Sequence, residues 1–137
     1  MEKFQLGVLC KIIGISSASG LLYHDDLLYV ISDTSTFLYE YNILSEKLNK
    51  IPLVAYPQEN IPKKDKPDFE SISKQQKNIA VLGSGSTENR NMIALYHPEL
   101  KKTKIRSMLP VYSQIKLQNN FKDDELNIEG FIKIGRA

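Results

Sequence analysis

Ser19-Gly20-Leu21-Leu22, Glu70-Ser71-Ile72-Ser73 and Glu129-Gly130-Phe131-Ile132 are three versions of one phrase, and each opens a block of short apolar runs. The first two openings lie 51 residues apart and the last two 59 apart. A repeat of this length, built of short strands, is the signature of a β-propeller, whose blades take roughly 40–50 residues each. Blocks one and two align without a gap over their first half. Leu28-Tyr29-Val30-Ile31-Ser32-Asp33 falls on Ile79-Ala80-Val81-Leu82-Gly83-Ser84, and Thr34-Ser35-Thr36 on Gly85-Ser86-Thr87. After a shift of four residues, Leu38-Tyr39-Glu40-Tyr41 falls on Ile93-Ala94-Leu95-Tyr96, and Leu48 to Ile51 meets Thr103 to Arg106. Four strands per block make one antiparallel blade.

The expected fold is therefore all-β, a β-propeller fragment. It has an N-terminal strand in residues 1–16, a first blade over 17–56 and a linker over 57–67. A second blade follows over 68–109, then a connector over 110–126 and the start of a third blade over 127–137. Leu27 to Ser32 and Ile79 to Leu82 are apolar runs that suit strands buried on both faces. Phe37 to Asn42 is more mixed and predicts a half-exposed strand. His24-Asp25-Asp26 and Gln75 to Asn78 read as polar hairpin turns. Pro57, Pro62 and Pro67 exclude a central strand from the linker. Pro110 followed by Val111, Tyr112, Ile115 and Phe121 predicts a short amphipathic helix near 110–121. Both long connections precede a block opening, which puts them on one rim of a propeller, where binding loops gather.

Composition narrows the function. The formal net charge of +2 is too small to argue for nucleic acid, and none is expected as a partner. Lys63, Lys64 and Lys66 read as a solvated face of the linker. One cysteine, Cys10, excludes a disulfide framework and a four-cysteine zinc site. In its apolar run it reads as a small buried hydrophobe. No stretch is long enough to span a membrane. Residues 1–19 imitate a weak secretion signal, but Gln5 and Lys11 interrupt the apolar run and no small-x-small cleavage site follows. The alternation of Phe4, Leu6, Val8, Cys10 and Ile12 predicts a strand instead, which points to a cytoplasmic protein. Two blades leave sheet edges and a face uncovered, so marginal stability or self-association is expected.

Two constellations carry candidate chemistry. In Asp68-Phe69-Glu70 and Asn127-Ile128-Glu129, side chains two apart on a strand share a face, with Phe69 and Ile128 turned into the packing. If these begin innermost strands, Asp68, Glu70, Asn127 and Glu129 converge on an axial channel. Such oxygens suit a hard divalent cation, Ca2+ in particular, or acid–base work on a bound substrate. The alternative is that they bond backbone donors of the next blade. Block one offers only Ser17 and Ser19 at these places. Gly83 to Asn91 is the second constellation. Ser84, Gly85, Ser86 and Arg90 offer donors to an anion, though the lysine and spacing of a phosphate loop are missing. The alternative there is a hydrogen-bonded hairpin loop. Asp33 reads as the cap of its own turn.

Ser17-Ala18-Ser19-Gly20, Lys66-Pro67-Asp68-Phe69-Glu70-Ser71, Leu82-Gly83-Ser84-Gly85-Ser86-Thr87 and Leu126-Asn127-Ile128-Glu129-Gly130 together resemble an uncharacterised bacterial family of β-propeller-like proteins. The resemblance covers almost the whole chain and implies no known activity. More distantly, the Asp-Phe-Glu and Ile-Glu-Gly openings are similar to those of esterase-like phytase propellers, which are calcium-dependent phosphohydrolases. Glu70 and Glu129 match that pattern in position, with Ser71 where the pattern has glycine. The function expected is binding of a divalent cation or small anionic ligand at the axial channel. The alternatives are a metal-dependent phosphoester or ester hydrolase, and a protein-interaction scaffold acting through its rim loops.

Overall fold

A computed structural model describes residues 2–132 and 134. The chain is mostly β. Strands β1 (Ala18–His24), β2 (Leu27–Ser32), β3 (Phe37–Asn42) and β4 (Lys47–Pro52) pair antiparallel in chain order to make one sheet. Strands β5 (Phe69–Gln75), β6 (Asn78–Gly83), β7 (Met92–His97) and β8 (Lys102–Ser107) make a second sheet of the same order, and helix α1 (Leu109–Asn119) follows. The hairpins close on left-handed residues at matching places. Asp25 and Gln76 have positive φ in the first turn of each sheet, and Glu46 and Lys101 in the last. Each carries a polar side chain and no β-branch, so the conformation costs little.

The two sheets stack face to face because each is apolar on both sides. Pleating sends Leu22, Tyr29, Ile31, Leu38 and Ile51 to one face of the first sheet. There they pack with Ile72, Ile79, Val81, Ala94 and Tyr96 of the second sheet in one buried core. Burying each such side chain fully stabilises the fold by about 1.5–3 kcal/mol. Leu82 and Ile93, on the second sheet's far face, are covered by Tyr112 and Ile115 of α1 and by Leu126, Ile128 and Phe131. The first sheet's far face carries Leu21, Tyr23, Leu28, Val30 and Tyr41. Over it lies the extended N-terminal segment, whose Cys10, Ile12 and Ile15 border Leu28 and Val30. The molecule is thus a stack of four layers: N-terminal segment, first sheet, second sheet, then helix and tail.

Four sequence expectations need correction. Residues 2–16 form no strand. Alternating apolar residues need a neighbouring edge to make a ladder, and this segment lies across a sheet face instead of along an edge. Residues 127–132, expected to open a third blade, also form no strand. No described strand lies beside them, and their tie to the second sheet is Ile128 N–H donating to the Ser84 carbonyl at 2.8 Å. Residues 133 and 135–137 of that expected opening lie outside the described residues. Strand β3 is more buried than its mixed sequence predicts. Leu38, Tyr39 and Tyr41 are all shielded, because layers cover both faces of the sheet. Helix α1 begins at Leu109 with Pro110 in its first turn, near the expected place, but Tyr112 is its one buried residue and Val111 stays half-exposed.

The linker between the sheets is held down by its own backbone. Thr36 N–H donates to the Gln58 carbonyl at 3.0 Å, Gln58 N–H to Thr36 Oγ1 at 2.8 Å, and Ile61 N–H to the Thr34 carbonyl at 2.9 Å. This folds residues 58–61 against the loop after β2 and directs residues 62–67 back toward the sheet junction.

The layered packing predicts a sharp contrast between two leucines. Leu38 is wholly buried in the inter-sheet core, whereas Leu44 lies in an exposed turn. Leu38→Ala is expected to lower unfolding free energy by about 2–5 kcal/mol and Leu44→Ala by less than about 0.5 kcal/mol. Urea denaturation of both variants checks this, and similar losses would count against the stack.

Candidate functional site

The opening phrases of the first two blocks are β-bulges. The β1–β2 ladder slips between Ala18 and Gly20, and the β5–β6 ladder slips between Phe69 and Ser71. Ser19 and Glu70 are the extra residues, at matching places in the two sheets. A bulge breaks strand alternation and re-aims its side chain. The residues that lead into the bulges, Ser17 and Asp68, both have left-handed backbone, with φ of 49° and 54°. Asp68 and Glu70 therefore meet through a turn and a bulge rather than through the shared strand face expected from sequence.

Asp68 is almost fully buried and fully partnered. Its Oδ2 accepts from Ser84 Oγ at 2.7 Å and lies 3.1 Å from Arg90 Nη1. Its Oδ1 lies 2.7 Å from Lys66 Nζ. The same ammonium reaches Asp33 Oδ2 at 2.5 Å. Lys66, whose side chain is only 12% exposed, so bridges the loop after β2 in the first sheet to the residue before β5 in the second. Burial works to raise the Asp68 pKa, but Lys66, Ser84 and Arg90 outweigh it and hold the carboxyl below its ordinary range. Burial works to lower Lys66, and its bonds to Asp33 and Asp68 outweigh that and raise it. Both groups stay charged at neutral pH.

Glu70 is the opposite case. Burial first, then the charges of Asp68, Glu129 and Asp33, push its carboxyl from 4.5 up to about 7. The ligand oxygens of Asp33, Asp68 and Glu70 all lie within 4.8 Å of one another. Among the described residues, Asp33 Oδ1 and Arg90 Nε are buried without a hydrogen-bond partner. Asn127 Nδ2 donates to Glu129 Oε1, and this exposed pair adds its charge from the side. Among the described residues, with all four carboxylates ionised, Lys66 and Arg90 leave two negative charges uncompensated.

The loop read as an anion cradle spends its donors inside the chain. Ser84 Oγ donates to Asp68, and Arg90 Nη1 donates to Ser86 Oγ at 2.7 Å while pairing with Asp68. Arg90 Nη2 donates to the Lys63 carbonyl at 3.0 Å. The anion these groups hold is Asp68. Gly85 takes φ of +77° beside the Tyr112 ring, which is where glycine's freedom is needed. Gly83 has no room for a side chain, since a Cβ would fall 2.5 Å from the Arg90 carbonyl. Backbone packing thus fixes Arg90 against Asp68.

Sequence reasoning named Asp68, Glu70, Glu129, Asn127 and Arg90, and missed two members of the cluster. Asp33 does not cap its turn. Ser32 Oγ and Ser35 Oγ do that, accepting from the N–H groups of Thr34 and Phe37. Lys66 is not on a solvated linker face, although Lys63 and Lys64 are. Its one legible signal is its place two residues before Asp68.

Fold and cluster together define a protein of two stacked antiparallel sheets with a charged node at their junction. Residues 14–137 match the model of a family described as a family of unknown function (DUF6929), and the chain belongs to that family. No curated protein and no solved structure matches it. No helix among the described residues is long and apolar enough to cross a membrane.

Glu70 sets a pH dependence whose sign is fixed. In the fold it keeps its proton until about pH 7, whereas its ordinary pKa is 4.5. The stability it contributes is full below the lower value and is lost as pH rises through the upper one. Glu70→Gln mimics the protonated form. Its melting temperature, measured with chelator present, should equal that of the wild type at pH 4.5. At pH 8 it should exceed the wild type by roughly 2–8 °C. An offset that does not change with pH would count against the buried, charge-crowded setting of Glu70.

Proposed function

We propose that the chain is two successive units of a propeller-like array and binds a divalent cation at the junction of its sheets. The observation that carries the reading is the convergence of Asp33, Asp68 and Glu70 oxygens within 4.8 Å, with Asp33 Oδ1 buried and unpartnered among them. Lys66 and Arg90 already hold Asp68. A cation would therefore draw on Asp33 Oδ1 and the Glu70 carboxylate, with the Glu129–Asn127 pair approaching from the open side. An all-oxygen donor set with flexible members suits Ca2+ better than Mg2+, which demands a tighter octahedron. The excess of two carboxylates over cations matches one divalent charge. The matching strand order and bulge position of the two sheets support the propeller reading.

A second reading rests on Glu70. A cation bound beside it would take its proton and leave the carboxylate as the general base of a metal-assisted phosphoester hydrolase.

Calorimetric titration tests both. With Ca2+, the wild type should give a saturable single-site heat. Glu70→Gln and Asp33→Asn should each weaken affinity at least tenfold. At pH 6.5, binding should release protons from Glu70, seen as a heat that depends on the buffer. Absence of calcium heat in the wild type would remove the cation site. Failure to cleave phosphoesters with calcium bound would remove only the enzyme reading.

A further inference from the structure

We infer that the chain carries a second site, a hydroxyl-lined cavity at one corner of the first sheet that takes a neutral monosaccharide. The cavity has a volume of about 250 Å3. Ser32, Ser35 and Tyr39 line it, and none of the three is more than 2% exposed. Residues 14–16 of the extended segment form one wall, and Glu59 and Asn60 of the linker form another. With Ser16 and Thr34, five residues bring hydroxyls to it, beside one carboxylate, one amide and the aliphatic side chain of Ile15. Water in such a space amounts to about eight molecules at about 30 Å3 each. A ligand that displaces them must replace their hydrogen bonds, which selects a small molecule ringed with hydroxyls. The sheet does not demand this lining. In the second block Ser32 falls on Gly83, Thr34 on Gly85 and Tyr39 on Ala94, and a sheet of the same order forms without the hydroxyls. Asp33 turns to Lys66 at the junction, so the two sites share a loop but no side chain.

The proton inventory fixes what the ligand must offer. Tyr39 Oη lies 2.5 Å from Glu59 Oε1 and 2.9 Å from Ser35 Oγ, and it has one proton to give. The charged carboxylate takes it. Ser35 Oγ accepts from the Phe37 N–H at 3.1 Å, which leaves its own proton for Tyr39. Glu59 Oε2 accepts from Lys50 Nζ at 2.9 Å, so the carboxylate is neutralised from behind and a charged ligand gains nothing. The bonds from Tyr39 and Lys50 hold the Glu59 carboxyl below its ordinary value, while burial, then the bond to Glu59, pushes the Tyr39 phenol up to about 12. A carboxylate has about four acceptor positions, and two remain for a pair of neighbouring hydroxyls. The linker wall is in place before a ligand arrives. Glu59 and Asn60 sit between two backbone ties, Thr36 N–H to the Gln58 carbonyl and Ile61 N–H to the Thr34 carbonyl.

Titration of the full chain with D-glucose, D-galactose and D-mannose, followed by amide chemical shifts, tests this. At least one sugar should give saturable shifts centred on residues 32–39 and 59–60. Chelator in every sample keeps the cation site out of the readout, so a failure here leaves that site standing. Glu59→Gln and Tyr39→Phe should each weaken binding about tenfold or more, since each removes a hydrogen bond to a charged group. Asn60 is exposed at the mouth, so Asn60→Ala should melt as the wild type does and still weaken binding, which keeps the test open if Tyr39→Phe fails to fold. D-Glucuronate and D-galacturonate should bind no better than their neutral parents. Absence of saturable shifts with all three sugars overturns the proposal. So do shifts that persist unchanged in Glu59→Gln and Asn60→Ala, the pattern of binding elsewhere, or a uronate that binds more tightly than its parent.

Discussion

The ammonium of Lys66 sits between a carboxylate from each sheet, and the junction depends on it. Asp33 follows β2 in the first sheet and Asp68 precedes β5 in the second, so one cation ties two units whose other contacts are the apolar core and hydrogen bonds such as Ser19 Oγ donating to the Phe69 carbonyl. Its position comes from the linker. The Lys66 N–H donates to the Pro62 carbonyl, turning the chain so that the side chain enters the gap instead of reaching into water. Arg90 then completes the charge balance on Asp68, held there by the close backbone approach at Gly83. Taking these charges out of water is costly and is offset only because each finds partners. Among the described residues Glu70 receives no such partner, and burial together with the neighbouring carboxylates retains its proton far above the ordinary carboxylate range.

The same junction explains why binding chemistry collects there. Two-faced apolar sheets must stack, and stacking brings the loop after β2, the bulge of β5 and the loop after β6 to one place. Polar side chains at those positions converge without needing to be near in sequence. The stack also has ends. On one side α1 and the tail cover the second sheet with a packed cluster, and on the other a single extended segment covers the first sheet incompletely.

Much of the fold was legible in the sequence. An apolar run gave β2 and a mixed run gave β3 at their observed bounds, and the offset of 51 residues matched Ser19 to Glu70, which proved to be paired bulges. Asp68 and Glu70 stood out because acidic residues recur at block openings. What stayed hidden is long-range or dependent on partners. Lys66 and Asp33 lie 33 residues apart and meet only after the linker folds back. The alternation in residues 4–12 records apolar spacing but cannot say whether an edge is available, so it imitated a strand. The loop after β6 offered the right donors for an anion, and sequence could not tell that the anion was Asp68.

The most direct test of the junction is a mutant cycle on Lys66 and its two carboxylates, read by denaturant unfolding. Lys66→Met alone should destabilise the fold by roughly 3–5 kcal/mol, because two buried carboxylates lose their shared cation. Adding Asp33→Asn to it should restore part of that loss, since Asp68 keeps Arg90 and no carboxylate of the pair is then left without a cation, whereas adding Asp68→Asn should restore none, since it strips Arg90 of its anion. Losses that simply add across the three substitutions would contradict the central role of the Lys66 bridge.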